Sequence, residues 1–174
     1  MQRTHLWVLL LLALLALAFT FPLVTQLTTH VPGSDTWAYD EYTFLWNIWY
    51  FKRALIEQHS SPLATGLLFY PVGIGLVMYT FNLVAAALAL PIHLATGNIP
   101  LSSNLVNLTS SVLGGYGVFL LVRYLLHTRP VSSDQSTAAH TALRCAPFTT
   151  PAAIIAGLIY AFASSRSVYL ALGH

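Results

Sequence analysis

Hydrophobic residues run through this chain in long blocks separated by short polar breaks, and the block lengths predict its elements. From Leu6 to Leu27 there are 22 consecutive uncharged residues, rich in Leu and Ala, and about 20 apolar residues suffice for a helix to cross a bilayer core. The pattern predicts a first transmembrane helix over 6–27. A secretory leader is the rival reading, since Arg3 supplies a positive start and Ala16-Leu17-Ala18 imitates a small-residue cleavage site. The apolar run continues through Phe19, Phe21, Leu23 and Val24, which favours an uncleaved anchor.

Residues 28–75 follow a different pattern, broken by Pro32-Gly33, Pro62, Pro71, Gly73 and Gly75. They predict an external loop, acidic and aromatic. Within it, 42–57 places Phe44, Leu45, Ile48, Phe51 and Leu55 on one helical stripe, with Thr43, Asn47, Tyr50 and Ala54 on a weaker face opposite. Such a helix is expected to lie along the membrane surface. Trp46, Trp49, Tyr50, Phe69 and Tyr70 fit the aromatic belt at the headgroup level; they read first as interfacial anchors and second as stacking platforms for a sugar.

Three later apolar segments cover 76–96, 101–126 and 152–172, with Gly97-Asn98-Ile99-Pro100 and the polar stretch 127–150 between them. If all crossed from a cytoplasmic N-terminus, the loop 127–150 would lie outside, yet Arg123, Arg129 and Arg144 cluster around it, against the positive-inside rule. Segment 76–96 resolves the conflict. Its uninterrupted apolar core is only Leu83 to Leu90, a length that reads as interfacial or re-entrant. Three full spans remain: 6–27 outward, 101–126 inward and 152–172 outward, with 127–150 cytoplasmic. The second of these carries Ser110, Ser111, Gly114, Gly115 and Gly117, small residues that let helices approach closely in lipid. Asn104 and Asn107 are expected to bridge helices or to face a polar cavity, and the sequon Asn107-Leu108-Thr109, inside the span, is discounted.

Composition sharpens this picture. Hydrophobic residues make up 56% of the 174, and Asp, Glu, Lys and Arg only 7%, against about 25% charged residues in a soluble domain. Twelve such charges cannot clothe a water-soluble globule of this length, so the lipid bilayer is the expected partner of its exterior. A net charge of +2 offers no basic stripe for phosphate backbones, which excludes nucleic acid. The single cysteine, Cys145, forms no internal disulfide and no thiolate zinc site.

Four of the five acidic residues fall between Asp35 and Glu57. Asp40-Glu41 are adjacent carboxylates between Tyr39 and Tyr42 at the entry to the surface helix. A helix N-terminus favours their ionised form, whereas burial among rings and a like charge next door raise a pKa. On spacing alone they read first as a solvated helix cap and second as a catalytic base. Arg166 interrupts the last apolar segment, and an intramembrane charge is a functional-site hypothesis. It would stand about 21 Å along a core about 30 Å thick, within snorkelling reach of the outer face. His174 lies about two turns beyond. Lys52 and Arg53 read as headgroup contacts, and Asp35, after Pro32-Gly33, as a turn residue and reserve acid.

The run Tyr39-Asp40-Glu41-Tyr42-Thr43-Phe44-Leu45-Trp46-Asn47-Ile48-Trp49-Tyr50-Phe51-Lys52, then Leu67-Leu68-Phe69-Tyr70-Pro71-Val72-Gly73, then Ala156-Gly157-Leu158-Ile159-Tyr160-Ala161-Phe162 resembles the N-terminal part of bacterial GT-C membrane glycosyltransferases, in the same order. The resemblance implies an all-α, multi-pass transmembrane helical bundle in the plasma membrane. It also implies transfer of a sugar from a polyprenyl-phosphate donor to an acceptor hydroxyl at the outer face. The family's first external loop carries a modified DXD pair that includes the DE form, and Asp40-Glu41 match it. Asp40 is then the catalytic base and Glu41 positions the acceptor or a cation, while Arg166 and His174 are the candidates for binding the donor phosphate. Some members use a divalent cation and many do not, so no metal is assigned. Sugar and acceptor are not identified. Because these enzymes have several further spans, the chain is expected to be the beginning of a longer protein, inactive by itself. The alternative is a non-enzymatic membrane subunit or transporter fragment in which the acid pair only caps a helix.

Overall fold

The computed structural model describes residues 2–32, 39–79, 81–127 and 149–162, and these are mostly helical. The helices are α1 (Gln2–Phe19), α2 (Tyr39–Lys52), α3 (Leu83–Thr96), α4 (Ile99–His127) and α5 (Thr149–Ala161). One of them, over Ile99–Leu126, is long and apolar enough to cross a membrane. The described residues fall into two units: one contains α1, α5 and α4 from Leu108 onwards, the other residues 20–107.

In the first unit, α1 turns Val8, Leu12 and Ala16 inward at helical spacing. Val8 and Leu12 meet Phe119 of α4 and Ala153 and Ala161 of α5 in one apolar core. Close approach is achieved by glycine. A Cβ on Gly157 would lie 2.6 Å from the carbonyl oxygen of Gly115, and one on Gly115 would lie 2.9 Å from the Ala161 Cβ and 3.0 Å from Leu12. Gly114 likewise receives Tyr160, whereas Gly117 faces open space. Gly114 and Gly115 of the long span thus form a packing surface, with Gly117 outside it.

The first helix is shorter than its apolar run. It ends at Phe19, and a turn and a short 3-10 helix, Leu23–Thr25, follow, although hydrophobic residues continue to Leu27. Pro22 has no N–H to extend the α-helical ladder. The turn beyond is fastened to α4 by amides: Asn98 Nδ2 donates to Thr28 O at 3.0 Å, and Asn104 Nδ2 donates to Leu27 O and His30 O at 2.8 and 2.7 Å.

In the second unit, α2 packs on α3. The buried residues of α2 are Asn47, Ile48, Tyr50 and Phe51, followed in the next turn by Ala54, and those of α3 are Ala86, Ala89 and His93. The expected stripe of large apolar residues is therefore only half of the buried surface. Phe44, Leu45 and Leu55 are half-buried, while the weaker face of Asn47, Tyr50 and Ala54 is the more deeply covered. The buried face of α2 thus combines large side chains with Asn47, and that of α3 is built from Ala86, Ala89 and His93. Beyond Lys52 the helix widens into a π-turn, Arg53–Glu57, with Gln58 N donating to Arg53 O at 2.9 Å.

A two-stranded antiparallel hairpin returns the chain, pairing Ala64 with Gly75 and Thr65 with Ile74. Gly73 adopts φ +73°, and a Cβ there would meet Thr65 O at 2.8 Å, so the turn requires glycine. Tyr50 donates its hydroxyl to Ala64 O and closes a small core with Ala54 and Leu76. The segment expected as 76–96 is helical from Leu83. Asn82 Oδ1 caps it by accepting from Ala85 N at 3.2 Å. Gly97, in the left-handed region, ends it through N–H to His93 O at 2.8 Å. Asn98 Oδ1 accepts from Leu101 N at 2.7 Å and starts α4 at once, with Pro100 in the first turn, where its missing N–H costs nothing.

Candidate functional site

Asp40 and Glu41 occupy the first turn of α2, which begins at Tyr39 and not near Tyr42. Here the free N–H groups and the helix dipole favour negative charge. The Asp40 side chain lies outside the described residues. Glu41 is half-buried, with Oε2 fully covered. One turn further along the same face, three residues from Glu41 and four from Asp40, stands Phe44.

Phe44 opens onto a cavity of about 60 Å³ within the second unit. Its apolar wall includes Phe44, Ile48 and Val106, and its polar groups are Asn47, Asn82, Ser103 and Asn107. Asn47 and Ser103 are buried. Such a volume holds one or two water-sized groups, and three amides and a hydroxyl around it both donate and accept. Asn107 was expected at a polar cavity and lines this one; Asn104 binds backbone carbonyls instead. Sequence reasoning passed over Asn47, Asn82 and Ser103 as cavity residues. The available signal was an amide at the centre of an otherwise aromatic helix.

His93 is buried at 4% exposure, and its Nδ1 has no hydrogen-bond partner among the described residues. Burial lowers its pKa from the ordinary value, the Lys52 ammonium adds to the lowering, and Glu57 opposes it. Lys52 lies 3.6 Å from Glu57, and the Arg53 guanidinium sits 5.1 Å from the Trp49 ring centroid. Both cations thus have neighbours on their own helix. Among the expected belt aromatics, Phe69 and Tyr70 are exposed. Trp46 stacks on Tyr50 at 4.9 Å, and Tyr50 is core, at 3% exposure. Its place in an interfacial belt is corrected: a ring hydrogen-bonded to the hairpin backbone is an internal strut.

No protein family, curated protein or solved structure matches the chain. The other expected site residues, Arg166, His174 and Asp35, lie outside the described residues, so the structure brings together the acid pair's helix and the cavity alone.

Proposed function

We propose that this chain is part of a multi-pass plasma-membrane glycosyltransferase of the GT-C kind, taking a sugar from a polyprenyl-phosphate donor. The observation that carries the reading is the acid pair in the first turn of α2, one turn from a cavity lined by three amides, of which Asn47 is buried. Membrane location is supported by the apolar helix Ile99–Leu126. It is also supported by outward-facing side chains such as Leu6, Trp7, Leu14, Leu113 and Ile159, each more than half exposed, beside interiors in which Ala, Ser and Asn accompany the large apolar residues. In lipid, where apolar burial drives nothing, helices associate through small and polar residues in this way.

In this reading the Asp40 carboxylate accepts the proton of the acceptor hydroxyl as its oxygen bonds to the anomeric carbon. The bond from that carbon to the phosphate oxygen breaks, and the lipid phosphate departs with the electron pair. A single displacement inverts the carbon, and a phosphate leaving group needs no general acid. Glu41 orients the acceptor, and Arg166 and His174 receive the leaving phosphate. The test is Asp40→Asn in the full-length protein. Sugar transfer is expected to disappear while membrane insertion is unchanged, and undiminished transfer removes Asp40 from the mechanism.

A further inference from the structure

The first unit holds a polar cluster that the proposed sugar transfer does not use. His5, half-buried near the start of α1, lies between two side chains of α4. Its Nδ1 is 2.9 Å from the Tyr116 hydroxyl oxygen and its Nε2 is 3.0 Å from Arg123 Nη1. A guanidinium can only donate. Nε2 is therefore the acceptor, and the ring proton sits on Nδ1 and is donated to Tyr116. The imidazole is held edge-on against Phe119 at 5.8 Å, so the hub of the cluster is rigid. What remains is a set of donors without acceptors among the described residues: the other N–H groups of Arg123 and the hydroxyl proton of Tyr116.

Charge points the same way. The described residues of this unit contain no Asp or Glu, and Arg3, exposed, adds a second guanidinium two residues before His5. Trp7 on α1 and Tyr124 on α4 are exposed at 68% and 64%, and Leu121 and Leu125 beside Arg123 are more than half exposed. Cations at the level of exposed Trp and Tyr, above bare leucines, match the chemistry of a bilayer at its headgroups. The structure assigns to Arg123, His5 and Tyr116 a binding site for the phosphate of an anionic phospholipid. The guanidinium fork fits two phosphate oxygens, His5 fixes its orientation, the tyrosine hydroxyl supplies a further donor, and the leucines cover acyl chain. A free phosphate would leave those leucines uncovered. Bilayer location is taken from the proposal above, and sugar chemistry does not enter.

The full chain, purified in detergent, is titrated with phosphatidylglycerol, with phosphatidylcholine and with inorganic phosphate, and adducts are counted by native mass spectrometry. Phosphatidylglycerol is expected to bind about fivefold more tightly than phosphatidylcholine, the effect of one basic group at an anionic surface. Arg123→Gln abolishes the difference, and Tyr116→Phe, which keeps the ring, reduces it. Inorganic phosphate gives no adduct at concentrations where phosphatidylglycerol does. Equal binding of the two lipids, an undiminished preference in both variants, or phosphate adducts without lipid preference each overturn the site. Carbonate washing of membranes separates the two readings: a chain that stays in the membrane but does not discriminate lipids loses only this site, whereas a chain released by carbonate loses the bilayer location as well.

Discussion

Replacing Gly157 by Ala tests the helix packing of the first unit most directly. The new Cβ would lie 2.6 Å from the Gly115 carbonyl oxygen, about 0.7 Å inside a normal C···O contact of about 3.3 Å. The obstacle is backbone, so no rotamer change relieves it, and α4 and α5 must separate along Gly115, Ala161 and Phe119. Overpacking of this kind costs about 1–3 kcal/mol. Alanine also stabilises a helix by about 1 kcal/mol relative to glycine, which masks part of that cost. Gly117→Ala supplies the correction: it lies inside α4 with nothing within 4 Å, so it gains the propensity and meets no clash. The difference between the two variants therefore isolates the steric effect and is expected to be about 1–3 kcal/mol, with Gly157→Ala the less stable. Unfolding in mixed detergent micelles with increasing dodecyl sulfate, followed by circular dichroism, measures it. A Gly157→Ala chain as stable as Gly117→Ala would refute the close crossing.

Other consequences follow from single groups. Asn104→Ala removes two hydrogen bonds to the turn after α1 and is expected to destabilise by about 2 kcal/mol, at about 1 kcal/mol per bond, with faster amide exchange confined to residues 24–30. Tyr50→Phe keeps the stacking on Trp46 but leaves Ala64 O without its donor, and should cost about 1 kcal/mol in the same denaturation assay. For His93, whose folded pKa lies below its unfolded value near 6.5, the native state favours the neutral ring. Stability is complete above that value and falls as pH drops from about 6.5 towards the folded pKa. Melting curves between pH 8 and pH 5 should show this loss, and His93→Gln should flatten it. An unchanged slope in the variant would assign the dependence to other groups.

Block lengths alone placed α4 to within a few residues, because apolar runs, Pro and Gly are local signals. α4 runs Ile99–His127 where 101–126 was expected, and Asn82 and Gly97 bracket α3 as cap residues do. Where local reading failed, a nonlocal partner decided the outcome. Apolar character persists to Leu27, but Pro22 and the amides of Asn98 and Asn104, some 70 residues away, turn that stretch into a strapped loop. Periodicity marked Ile48 and Phe51, which are buried, but gave less weight to Asn47, Tyr50 and Ala54, which are covered more deeply, since it ranks residues by aversion to water and not by fit or hydrogen bonding. The acid pair was legible as adjacent carboxylates. The cavity beside it was not, because Asn82, Ser103 and Asn107 come from separate segments whose meeting only tertiary structure defines.

The arrangement of the helices, with alanine, glycine and asparagine inside beside a few large side chains such as Leu12 and Phe119, and most leucines outside, carries a practical corollary for handling this chain. Its specificity of assembly resides in contacts that a change of surrounding medium leaves untouched. Repainting outward positions such as Leu14, Leu113 and Ile159 with glutamate and lysine should yield an aqueous analogue with the same helix crossings, amenable to solution spectroscopy without surfactant.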